Sequence, residues 1–227
     1  MKIGILGTGM VGKTLGTKLA SLGHEVKMGS REAGNAEGAK WAKGAGKNAS
    51  EGTFADAAAF GEMVFICLRG DVALPVVKGV AKSLGAEKLK GKIFVDVSNP
   101  LDVDKGVPFP LLPDLSNTTS LSNTTSLGEE TQKALSGAHV VKALNTVNCD
   151  VMVNPSMVHG DSDLFICGND AGAKRKVNEI LRAFGWKNDP IDLGDITNAR
   201  GTESLMPIWM RLYGLYKSPH FNFKIVK

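Results

Sequence analysis

Gly7-Thr8-Gly9-Met10-Val11-Gly12 stands between two unlike segments of the chain. Lys2 to Leu6, in front of it, is a short apolar run. Behind it, Val11, Leu15, Leu19 and Leu22 recur at three- and four-residue spacing, which places them on one face of a helix. Strand, glycine turn and helix thus follow in direct succession, and in that context each glycine has a physical task. Gly7 permits the tight turn, Gly9 lets an anionic group come up against bare backbone, and Gly12 lets the helix pack closely on the strand. Free N–H groups and the dipole at the start of the helix then favour a pyrophosphate. Gly7, Thr8, Gly9, Met10, Val11 and Gly12 are accordingly expected to cradle a dinucleotide.

Outward from the turn, His24 to Met28 makes a second strand after the Gly23 stop. Met63 to Leu68 and Lys92 to Val97 are near-continuous apolar runs of the kind buried on both faces of a sheet. Val72 to Leu84 between them is helical, with Pro75 acceptable only in a first turn. Val140 to Leu144 and Leu164 to Cys167 add strands, and Ala171 to Phe184 is an amphipathic helix stopped by Gly185. Alternating strands and helices imply right-handed crossovers, hence an α/β fold with a Rossmann-type doubly wound parallel sheet. The tail from Asn198 to Tyr216 spaces Leu205, Ile208, Trp209, Leu212 and Tyr216 helically, with Pro207 marking a kink or a new first turn. Residues 1–195 are expected to form the nucleotide-binding domain and 196–227 a short C-terminal helical cap. The apolar face of that cap completes either the core of the monomer or a homodimer. Between strands, Ser-Asn-Thr-Thr-Ser-Leu at 116–121 recurs unchanged at 122–127, which reads as a tandem duplication in an exposed loop.

At 227 residues and 43% apolar content the chain buries one substantial core and leaves no room for a large second domain. Its 27 basic against 23 acidic residues are spread along the chain, with no basic run beyond Lys174-Arg175-Lys176. No basic stripe with interleaved aromatics is present, so nucleic acid is not an expected partner. No stretch of about 18 apolar residues could span a bilayer, and the N-terminus opens straight into a strand, so a cytoplasmic location without membrane is expected. Cys67, Cys149 and Cys167 are too widely spaced for a disulfide frame and read as reduced thiols. The aspartates show no metal-ligand spacing. His24, His139, His159 and His220 form no pattern with a nucleophile, so no catalytic side chain and no metal are assigned.

The end of the second strand selects the dinucleotide. An NAD site carries Asp or Glu there, about 20 residues on, to bind the ribose hydroxyls; this chain has Gly29-Ser30-Arg31. A 2′-phosphate can accept from the Ser30 hydroxyl and pair with the Arg31 guanidinium, while Glu32 turns to solvent. NADP(H) is therefore the expected cofactor. At the carboxyl edge of the sheet, where ligands of this fold collect, stand Leu68 and Arg69, then Ser98, Asn99 and Pro100, then Asn145 and Thr146. They are expected to line the nicotinamide pocket, with turn capping as the competing role for each Asn or Ser.

With these residues in hand, the chain resembles the coenzyme F420-dependent NADP oxidoreductases. The resemblance rests on Gly7 to Gly12, on Leu22-Gly23-His24-Glu25-Val26 leading to Gly29-Ser30-Arg31, on Val141-Lys142-Ala143-Leu144-Asn145-Thr146, and on Asn198-Ala199-Arg200 with Glu203-Ser204-Leu205. It implies hydride transfer between NADP(H) and the deazaflavin F420 or a flavin-like acceptor, with Ser30 and Arg31 on the phosphate. Such a reaction leaves the hard chemistry to the cofactors, and the site supplies orientation and excludes water. Arg69-Gly70-Asp71 stands where the family would carry an apolar residue and a proline. Two other activities remain open on the same scaffold. One is an NADPH-dependent flavin, quinone or ferric reductase; the other is a non-catalytic NADP(H) redox sensor.

Overall fold

The computed structural model describes residues 1–106, 109–112 and 124–227. The first copy of the duplicated hexapeptide and the start of the second lie outside the described residues. Five strands and four helices come first in chain order: β1 Lys2–Leu6, α1 Met10–Ser21, β2 Glu25–Ser30, α2 Ala36–Ala45, β3 Ala49–Thr53, α3 Phe54–Phe60, β4 Met63–Ile66, α4 Gly70–Leu89 and β5 Ile93–Asp96. The second part holds α5 Leu127–Ala134, β6 His139–Ala143, α6 Cys149–Val153, β7 Phe165–Gly168, α7 Ala171–Phe184, β8 Ile191–Asp192, α8 Ala199–Ser204 and α9 Met206–Tyr216.

The strands form one sheet in the order β3-β2-β1-β4-β5-β6-β7-β8. From β3 to β6 all pairs are parallel, so the doubly wound reading holds there, and the direction of winding reverses between β1 and β4. The all-parallel expectation fails at β7, which pairs antiparallel with β6 and parallel with β8. A parallel neighbour needs a crossover long enough to return to the amino edge of the sheet, whereas the only α-helix between β6 and β7 is α6, five residues long. Residues 144–164 are enough for such a return, but they hold only that short helix and a 3-10 turn, and β7 starts from the edge where β6 ends.

Side chains alternate across the sheet and divide the core in two. Ile3, Ile5, Met63, Phe65, Ile93 and Val95 meet α1, α2, α6 and α7 on one face. Leu6, Val64, Ile66, Phe94 and Val140 meet α3, α4 and α5 on the other. Capping matches the local sequence. Asp170 accepts the Ala173 N–H at the start of α7, and Gly185 ends it at φ 109°; Thr53 and Asp56 form a capping box on α3. Pro75 departs from expectation, because α4 begins at Gly70 and puts the ring beyond the first turn. Regular α4 geometry breaks at Gly85 (φ 71°), just after the expected end at Leu84. Pro207, by contrast, opens α9 at its N-terminus.

Phe65 is fully buried between strands and helices. Phe65→Ala is expected to lower unfolding free energy by about 3–5 kcal/mol, measured by urea denaturation with the slope unchanged.

Candidate functional site

The glycine turn owes its shape to contacts too close for side chains. Gly7 sits at φ 120°, and a Cβ there would lie 2.4 Å from the Cys67 carbonyl oxygen at the end of β4. A Cβ on Gly12 would lie 2.1 Å from the Gly7 carbonyl oxygen, so helix and turn touch through backbone alone. Around Gly9 a Cβ would meet nothing within 4 Å. Gly9 is also the N-cap of α1, with no side-chain cap and no acidic residue in the first turn. The N–H groups that lead α1 therefore face open space, with Met10 exposed and Thr8 and Val11 half-buried beside them. That arrangement accepts an anion.

Across the turn, the Gly7 N–H donates to the Gly29 carbonyl and ties the glycines to the end of β2. Ser30, next along, is buried, and its hydroxyl donates to the Glu32 carbonyl. Arg31 and Glu32 are exposed, and Arg31 has no ion pair among the described residues. Glu51 on β3, which no sequence signal marked, takes the Gly34 N–H on both its oxygens at 3.0 and 3.1 Å. It thereby closes the loop that carries Arg31.

From Gly9, Met10 and Val11 a cleft of about 620 Å³ runs along the carboxyl edge. Leu68, Arg69, Ser98, Asn99 and Asn145 line it, whereas Pro100 and Thr146 are buried and do not. The sequence had placed α9 only as a cap. In the structure Met206, Trp209, Met210 and Tyr213 form the far wall of the cleft. Trp209 stacks on Tyr213 at 5.8 Å and meets Phe221 at 5.1 Å. Of the stripe read from the spacing only Trp209 lines the cleft, while Ile208 and Tyr216 are exposed, so the helix turns a different face to the site than the periodicity indicated. Cys67 and Cys149 also line the cleft, and burial pushes both thiols above their ordinary range, which keeps them neutral. Of the histidines, His24 and His139 are half-buried and His159 and His220 exposed. No group of three or more potential metal ligands occurs among the described residues.

The lip of the cleft is tightly fixed. A Cβ on Gly70 would lie 2.1 Å from the Asn99 carbonyl oxygen. Asn99 Nδ2 donates to the Asn145 carbonyl at 2.7 Å, and Asn145 Nδ2 donates back to Asn99 Oδ1 at 2.9 Å. Before Asn145, Leu144 is buried in the left-handed region at φ 64°, a costly conformation for leucine. Arg69, at the mouth, pairs with Asp71 at 2.8 Å and Asp104 at 3.0 Å.

Beneath the lip lies a charged cluster of which the sequence marks Lys142 and Glu203 as parts of family motifs and gives no signal for Asp96. Lys142 Nζ is 2.9 Å from Asp96 and 2.8 Å from Glu203, all three essentially without solvent. Burial alone would lower the lysine's pKa, but the two carboxylates carry it above the ordinary value and hold the ammonium charged. Arg200 grips Glu129 on α5 with two bonds, at 2.7 and 2.6 Å. Burial works to raise the Glu129 pKa, yet Arg200 and Ser126 draw it below the usual carboxylate value. The Asn198 to Leu205 motif is thus a clamp that fastens α8 to α5.

Two expectations follow for this site. Gly9→Ala should leave the thermal midpoint unchanged within about 2 °C, while Gly12→Ala should lower it by at least roughly 4 °C; calorimetric melts of the chain without added nucleotide distinguish them. Because the folded-state pKa of Glu129 is depressed, its contribution is complete above the unfolded value near 4.5 and is lost as pH falls through the depressed one. Arg200→Met should therefore flatten the acid limb of the stability curve, as measured by urea titration between pH 3 and about 6.

Comparison with known proteins gives four likenesses. The family model described as NADP oxidoreductase, coenzyme F420-dependent, matches residues 2–100. Over nearly its whole length the chain is 31% identical to the F420-dependent NADP reductase of Methanocaldococcus jannaschii, covering 99% of this chain and 98% of that one. It is 30% identical to Metalloreductase STEAP3 of Rattus norvegicus over 92% of its length, but spans only 38% of that protein. Among solved structures, a candidate F420-dependent NADP reductase from Arthrobacter sp. FB24 superposes with a TM-score of 0.86 at 42% identity, covering all of both chains.

Proposed function

The chain belongs to the family of coenzyme F420-dependent NADP oxidoreductases, and on that premise we propose that it moves a hydride between NADP(H) and a deazaflavin of the F420 type. The observation that carries the proposal is continuity. The open N-terminus of α1 and the aromatic wall of α9 border one cleft, so a dinucleotide anchored at Gly9 to Val11 has room for an acceptor beside it.

In this proposal NADP(H) supplies the hydride chemistry, and the chain's residues bind, orient and exclude water. The Gly7 to Gly12 turn takes the pyrophosphate on backbone N–H groups. Arg31, exposed and free to turn, pairs with the 2′-phosphate. The Ser30 hydroxyl joins it only by leaving the Glu32 carbonyl, which makes Arg31 the stronger determinant. Leu68, Arg69, Ser98, Asn99 and Asn145 receive the nicotinamide end, with Pro100 and Thr146 holding their backbones in place. Met206, Trp209 and Met210 offer the flat apolar face that a deazaflavin ring requires. Ile208, Leu215 and Tyr216 remain exposed on α9 and would pair two chains as a homodimer, visible as a doubled mass in light scattering. No helix among the described residues is long and apolar enough to cross a membrane.

The likeness to the metalloreductase favours a second activity, reduction of a flavin or a ferric chelate. Absorbance at the reduced nicotinamide band separates the cases. Turnover of NADPH with the deazaflavin alone is the expected result. Turnover with FMN or a ferric chelate alone supports the second activity, and binding without turnover of any of them leaves a redox sensor. Arg31→Ala should weaken NADPH by roughly 10- to 100-fold and NADH by less than about twofold. Equal losses for both would remove Arg31 as the phosphate contact.

A further inference from the structure

Ser98 opens the lip of the cleft, and both of its peptide groups are held from below. Its N–H donates to Asp96 Oδ1 at 2.9 Å, and its carbonyl accepts from Lys142 Nζ at 2.6 Å. Lys142 in turn contacts Asp96 Oδ2 and Glu203 Oε1. Glu203 comes from α8, just ahead of Met206 in the cleft wall, and its two oxygens also take the Leu127 and Gly128 N–H groups at the start of α5, at 2.9 and 3.0 Å. Every oxygen of both carboxylates faces a donor, although burial still pushes the Glu203 carboxyl above its ordinary value. One step further out, Ser98 leads into Asn99, and Asn99 exchanges two hydrogen bonds with Asn145. A continuous set of bonds therefore joins α8, β6 and β5 to both asparagines of the lip.

Stability does not account for such a cluster. Desolvation of buried ions offsets most of their attraction, and apolar residues of equal volume often serve as well or better. What a dry, fully satisfied ionic cluster does impose is a single geometry, because any shift leaves a charge unpaired at low dielectric. Here the geometry it imposes is that of Ser98 and Asn99.

We infer that Asp96, Lys142 and Glu203 are positioning residues for the nicotinamide half of the site, fixing the Ser98–Asn99 lip relative to the glycine turn and tying it to the α8–α9 wall. None of the three lines the cleft; they act through the lip. The inference rests on the cleft being an NADP(H) site, and the test separates the two claims. NADPH, NADP+ and 2′-phospho-ADP-ribose, which keeps all three phosphates but lacks the nicotinamide, are titrated calorimetrically into the whole chain. Glu203→Gln should weaken both full cofactors by roughly tenfold and the fragment by less than about twofold. Where an acceptor is turned over, its KM for NADPH should rise along with the dissociation constant and its kcat should fall as well. Should that variant fail to fold, the apolar triple variant Asp96→Leu/Lys142→Met/Glu203→Leu carries the same expectation. Equal weakening of fragment and cofactor, or no weakening of either, overturns the positioning role. A wild-type chain that binds neither refutes the NADP(H) site itself.

Discussion

Backbone meets backbone at the carboxyl edge of the sheet with no room for a side chain between. Gly7 against the Cys67 carbonyl, Gly12 against the Gly7 carbonyl and Gly70 against the Asn99 carbonyl are three such approaches, and together they bring the ends of β1, β4 and β5 into one compact rim. A fourth glycine, Gly9, is unlike them, because open space surrounds it. Three glycines are there for packing and one for what arrives from outside. The open start of α1 follows from that difference, since the helix can begin bare only if the turn before it needs no side chain.

Charge supports this rim from beneath and behind. A lysine on a central strand, buried with two carboxylates, would be an unwelcome feature in a core whose only task was stability. Its position under Ser98, and its link through Glu203 to the segment that becomes the cleft wall, give it a geometric role instead. The Arg200–Glu129 clamp works alongside, fastening α8 to α5 by a second ionic contact. The C-terminal segment is thereby built into the site at two charged points, and Met206, Trp209, Met210 and Tyr213 face the cleft. Neutral thiols and apolar rings make up much of the walls.

Much of this was legible in the chain itself. The glycine turn, the flanking strand and helix, the buried strands β4 and β5 and the capped helix α7 could be read because each signal is local: a periodicity, a cap, or a residue type that alone tolerates a conformation. Elements lacking such a signal went unread. α2 buries only Gly38 and Trp41, so it shows no apolar stripe, and β3, Ala-Ser-Glu-Gly-Thr, is an edge strand without alternation. Pro75 was tied to a first turn because the helix start at Gly70 carries no side-chain cap to announce it.

What the sequence by itself determined is the order of most elements and the place of the glycine turn, since both depend on neighbours a few residues apart. Only the tertiary structure decided that β7 runs against β6, that α9 walls a cleft, and that Lys142, Asp96 and Glu203 share one dry cluster. The physical reason is the same in each case. Direction in a sheet, the partner of an apolar stripe and the solvation of a charge are set by groups far apart along the chain, and no local pattern encodes which of them will meet.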